Sequence, residues 1–171
     1  MTRLHLAFLS ALALIAVACA PVLAQDGTTV GVQDGKFGIG FSSAYPSYGI
    51  SGAYYHNEYL TGSVVVGALG TVTAYGGRVW YRFLRDVPYD VYAYGGLAAY
   101  RVDVVFASET AIGYGAGAGI EASLKQLFNS EDFPPIFVNA EVGFAGANWD
   151  TYSGFSALAV GVGAHFRFGK R

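Results

Sequence analysis

The chain has 171 residues, 53 % of them hydrophobic and 13 % charged, with a formal net charge of −2. So small a charge, without any basic block, argues against a nucleic-acid partner. One cysteine excludes an internal disulfide framework. The mean hydropathy of +0.38 is high enough to suggest membrane helices. Yet beyond residue 24 no apolar run approaches the ~20 residues a spanning helix needs.

In chain order, residues 1–24 carry a basic residue (Arg3), an apolar run from about Leu6 to Val17 and small residues before Gln25. That pattern is expected of a secretory signal peptide cut after Ala24. It contains Cys19, the only cysteine, so thiol chemistry is not expected of the exported protein. Residues 25–34 are expected to form a flexible tail, and 35–171 one domain. Within it, eight segments alternate with period 2: about 35–43, 47–56, 59–69, 71–84, 90–105, 110–123, 135–147 and 154–168. Turn-forming clusters such as Ala44-Tyr45-Pro46, His56-Asn57-Glu58 and Asp86-Val87-Pro88 separate them, as strands require. Only 124–133, ended by Pro134-Pro135, suggests a short helix.

Segment 135–147 sets Ile136, Val138, Ala140, Val142 and Phe144 against Asn139 and Glu141. Segment 71–84 sets Tyr75, Val79, Tyr81 and Phe83 against Arg78, Trp80 and Arg82. In 90–105 the apolar-looking set is Tyr92, Tyr94, Ala98, Tyr100, Val102 and Val104, opposed by Arg101 and Asp103. A soluble barrel turns its apolar face inward, and a membrane barrel turns it toward lipid.

Three features favour the membrane barrel. The polar face is mostly Gly and Ala, too sparse in polar residues for a wetted surface and suited to a narrow interior. Its charges are of both signs: Arg78, Arg82, Arg101, Arg167, Asp103, Glu121 and Glu141. Enclosed charges must pair. Aromatics gather at strand ends, with Tyr81, Phe83, Tyr92, Tyr94, Phe166 and Phe168 toward one rim and Tyr45, Tyr48, Phe106, Trp149 and Tyr152 toward the other. Such rings suit the headgroup level. The expected fold class is all-β, an eight-stranded antiparallel up-and-down transmembrane β-barrel.

The stretches "YAYGGLAAY", "GYGAGAGIEASL", "VNAEVGFAG" and "AVGVGAHFRF" resemble the small outer-membrane β-barrel proteins, the eight-stranded OmpA-type transmembrane domains of Gram-negative bacteria. The resemblance covers residues 35–168. It implies a cell outer-membrane location, termini in the periplasm, outer-membrane lipids as surroundings, and the barrel-insertion machinery as a partner during assembly. It also implies a terminal assembly signal, matched here by Gly163, Phe166 and Phe168, although Gly161 stands at its polar position and three residues follow the last Phe.

No cofactor, metal site or catalytic constellation is expected. His56 and His165 are isolated, and without cysteine they offer no ligand spacing. "GAGAGIE" is no dinucleotide fingerprint, because no helix pattern opens after it. An enzyme, such as a lipid-modifying barrel, requires a Ser or Asp within hydrogen-bond reach of His56 or His165. The interior is expected to be filled by Trp80, Phe137, Phe155 and a charge network of Arg78, Arg82, Arg101, Asp103, Glu121, Glu141, His165 and Arg167. Within it, Arg78 and Glu121 are expected to meet across Gly95. The expected role is structural or interaction-based and non-enzymatic, in a monomer. A soluble exported barrel binding an apolar ligand, lipocalin-like, is the alternative.

Overall fold

The computed structural model describes residues 35–169 except 45, 70, 71, 86–88, 105, 106, 131 and 149–152; the side chains of 44, 69, 103, 104, 107, 108 and 153–157 are also left aside. The expected leader (1–24) and tail (25–34) lie outside the described residues. Eight strands follow one another: β1 (Phe37–Ala44), β2 (Ser47–Tyr55), β3 (Leu60–Leu69), β4 (Val72–Arg85), β5 (Tyr89–Val104), β6 (Ala107–Ser123), β7 (Ile136–Asn148) and β8 (Ser153–Phe168). Each end falls within three residues of expectation. The helix is shorter than expected, a single turn, α1 (Leu124–Leu127), between β6 and β7.

Each strand pairs antiparallel with its sequence neighbours, and β8 pairs with β1 to close the barrel. Closure removes both free sheet edges, so no row of strand N–H and C=O groups is left open. The start of β1, the end of β8 and the connections after β2, β4 and β6 share one rim, called the terminal rim below; the connections after β1, β3, β5 and β7 share the other.

The barrel is inverted relative to a soluble one. Outward positions are mostly apolar and bare, with Val160 71 % exposed, Ile50 70 % and Val64 64 %. Buried positions hold Arg78, Arg82, Glu121, Glu141, His165 and Arg167. Alternation explains the sorting: β4 buries Arg78, Trp80 and Arg82 while Tyr75 and Val79 point out.

In β5 the orientation is opposite to the one expected. Tyr92, Tyr94, Ala98 and Tyr100 are buried inside, and Leu97, Ala99 and Arg101 face outward. The reason lies on the next strand. Register puts Tyr92 beside Gly119 and Tyr94 beside Gly117. A Cβ on Gly119 would approach Tyr92 Cζ to 2.6 Å, and one on Gly117 would meet the Val142 carbonyl oxygen at 2.3 Å. The glycines of β6 thus make room for tyrosine rings that only an interior position can use.

Candidate functional site: the filled lumen

Two ion clusters lie inside the barrel. In the deeper one, Arg78 on β4 reaches across to Glu141 on β7, with Nη2 2.5 Å from Oε2, and donates from Nη1 to Ser42 Oγ at 3.2 Å. Glu141 Oε1 also accepts from the Tyr92 hydroxyl at 2.7 Å and from Asn139 Nδ2 at 3.2 Å. The Arg78 guanidinium sits 4.5 Å from the centre of the Tyr94 ring. Every component comes from the inward face of its strand, so alternation alone delivers it to the lumen.

Nearer the rim where β1 begins and β8 ends, Glu121 on β6 accepts from two arginines. Arg82 Nη2 lies 2.8 Å and Arg167 Nη2 2.5 Å from the same oxygen, Oε2. Arg82 Nη1 donates to Thr61 Oγ1 at 2.6 Å, and its Nε lies 3.3 Å from Asp90 Oδ2. Arg167 is stacked between Phe137 and Tyr55, 3.5 and 4.0 Å from their ring centres. A planar, weakly hydrated guanidinium is the one cation that both forks onto a carboxylate and stacks on rings. Above the cluster, at the rim, Arg85 Nη1 meets Glu58 Oε2 at 2.8 Å.

The expected meeting of Arg78 with Glu121 does not occur. Arg78 lies opposite Gly96, not Gly95, and Glu121 lies beside Asp90. Gly96 and Asp90 are six residues apart on β5, about 20 Å at the usual strand rise. Arg78 is displaced by a single residue, but Glu121 by five: β5 and β6 already pair at Val104 and Ala107, so their hairpin turns earlier than a turn midway between residues 105 and 110 would, and Glu121 is carried toward the rim. Arg101 is likewise not a lumen charge: it is exposed on the outward face, because β5 presents its odd positions outward. The Asp103 side chain lies outside the described residues, as does that of Phe155. Trp80 and Phe137 are buried inside. Of the aromatics expected at the far rim, Tyr48 packs against an inner cluster of Ala74, Ala98, Tyr100 and Ala111. Tyr45, Phe106, Trp149 and Tyr152 lie outside the described residues. At the far end of the lumen, the Tyr100 hydroxyl donates to the Pro46 carbonyl of the β1–β2 turn.

His165 has a serine within reach, Ser51 Oγ at 2.7 Å from Nε2, so the minimal condition set for an enzyme is met in distance. Both residues are 1 % exposed. Nδ1 has no hydrogen-bond partner among the described residues, and the ring stands edge-on to Trp80 at 5.7 Å. The pair therefore has neither an acid to orient the imidazole nor a route for substrate to the hydroxyl. Among the described residues no group of three His, Cys, Asp or Glu could hold a metal ion.

On the outer face near the terminal rim, Phe166, Phe168, Phe37 and Tyr54 form a continuous run of rings, with successive centres 6.4, 6.2 and 5.5 Å apart. Of the three residues expected to form the assembly signal, Gly163 faces the lumen and is buried, while Phe166 and Phe168 face outward in this run. Sequence reasoning missed Tyr92, Ser42, Asn139 and Thr61 as partners of the lumen ions. For Tyr92 a signal was present, in the glycines spaced by two along β6.

The structure aligns with the crystal structure of the N-terminal β-barrel domain of Pseudomonas aeruginosa OprF, with a TM-score of 0.53 and 15 % sequence identity, over 78 % of this chain and 98 % of that one. The fold is the OmpA-type eight-stranded barrel. The likeness to the OprF domain is one of fold. No protein-family model matches the chain, and no curated protein matches it by sequence.

Proposed function

We propose that this chain is an integral outer-membrane β-barrel protein whose role is structural or interaction-based, not enzymatic. The observation that carries the reading is the inversion of its two faces. Ile50, Val64, Leu97, Phe144 and Val160 stand exposed on the outside while arginines and glutamates are buried within. A contiguous apolar exterior of this extent is a liability in water. In lipid it is the required surface, and closure satisfies the backbone there. The ring run at the terminal rim supports a headgroup boundary at that level.

A chain reaching the membrane from the periplasm keeps both termini on that side when its strand number is even, since only the hairpin connections must cross. The terminal rim is then periplasmic. The lumen, occupied by Trp80, Tyr92, Tyr94 and the ion clusters, supports a filled barrel in keeping with its strand number, not a diffusion pore. The assembly reading of Gly163, Phe166 and Phe168, and the barrel-insertion machinery as partner, belong to the same proposal.

The test is fractionation with gel analysis. The protein should leave membranes only with detergent, and its unheated band should migrate differently from its boiled band. Recovery in the soluble periplasmic fraction would overturn the reading.

A further inference from the structure

Glycines on the two faces of the sheet differ in what they do. Those facing inward are sterically required, as at Gly119. Four facing outward are not: a Cβ on Gly62 or Gly95 would meet nothing within 4 Å, and one on Gly77 or Gly52 only a single atom at 3.9 or 3.8 Å. Glycine inside a strand weakens it and often marks a bulge, a bend or a place where a ligand approaches closely. Gly52, Gly62 and Gly77 lie on neighbouring strands, in successive registers with Val64 and Val79. They floor an open groove of about 650 Å³ on the outside of the barrel, walled by Phe37, Tyr54 and Phe168 at its rim end. Beside its rim end stands a cation, Lys36, with Nζ 5.8 Å from the centre of the ring of Tyr54, one of the walls.

The geometry points to a binding site for one glycerophospholipid, its acyl chain lying on the glycine floor and its phosphate held by Lys36. This rests on the membrane reading above and adds an identified partner to it. An apolar trough ending in an ammonium group at headgroup level matches the two halves of such a lipid. The mouth is on the terminal rim, which the proposed topology sets in the periplasmic leaflet. A phospholipid, not a lipopolysaccharide, is therefore the occupant.

Native mass spectrometry of the detergent-extracted protein tests this. The wild-type protein should retain one glycerophospholipid, and Gly62→Leu with Gly77→Leu, which fills the floor, should lose most of it. Lys36→Gln lies outside the strands and leaves the sheet intact. It should lower retention of added phosphatidylglycerol about two- to fivefold, as an exposed ion pair would, and it decides the matter if the double variant does not fold. Equal retention in these variants, lipopolysaccharide in place of phospholipid, or a dimer that disappears when the floor is filled would each overturn the site. A wild-type protein that keeps its heat-dependent gel shift but holds no lipid sinks the site alone. Absence of the gel shift sinks the membrane reading as well.

Discussion

Glu121 is the residue on which most of the lumen depends, because one carboxylate oxygen serves two buried arginines. Replacing it with Gln leaves Arg82 with Asp90 as a counter-ion, but leaves the buried Arg167 guanidinium facing only a neutral amide and aromatic rings. Removing one partner of a buried ion pair typically costs about 3–5 kcal/mol, so E121Q should lower unfolding stability by about that much in a urea titration of the refolded barrel. A change under about 1 kcal/mol would mean that water reaches these groups freely. The two glycine classes make a second, paired test. Gly119→Ala forces a Cβ to within 2.6 Å of the Tyr92 ring and should cost about 1–3 kcal/mol, as overpacking does. Gly62→Ala meets open space and should be neutral or slightly stabilising. Equal effects in the same titration would remove the distinction between them.

At the scale of the strand, how much was legible depended on what each segment's pattern encoded. Turn clusters and period-2 alternation located all eight strands, and the mixed charges correctly marked the inward face of β4, β7 and β8. They failed on β5, where aromatic residues fill the lumen and the outward face carries Arg101. Hydropathy cannot tell a ring bound for lipid from one bound for a glycine-lined interior; only the partner strand can. Pairings were less legible still, since the position of a turn sets the whole register of its hairpin: β5 and β6 pair from Val104 and Ala107, which puts Glu121 beside Asp90 and leaves Arg78 to meet Glu141 across the lumen. The closing strand β8 carries a separate expectation. Phe166 and Phe168 have no role inside the barrel, being 43 % and 47 % exposed. Replacing both with Ala should therefore leave refolding in detergent nearly unchanged while slowing insertion by the cellular machinery. Equal assembly rates in membranes would remove the assembly role from these rings.

For the molecule as a whole, the arrangement of the lumen bears on both transport and chemistry. Going from the terminal rim, the interior passes from Arg85 with Glu58, through the Glu121 cluster, to Arg78 with Glu141. It then reaches the small apolar cluster around Ala74, Ala98 and Ala111, beside the Tyr100–Pro46 contact. An ion following this path would leave charged partners for a stretch with few groups able to replace its water, a steep electrostatic barrier. Planar-bilayer recordings should therefore show no porin-scale conductance. The same enclosure governs Ser51. A serine activated for nucleophilic attack must be open to its substrate and face an oriented base. Ser51 instead lies beside a histidine whose Nδ1 lacks an acceptor among the described residues. Treatment of the folded protein with a fluorophosphonate should leave Ser51 unmodified, as judged by peptide mass spectrometry. Stoichiometric labelling that is lost in His165→Ala would show a working dyad and overturn the non-enzymatic reading.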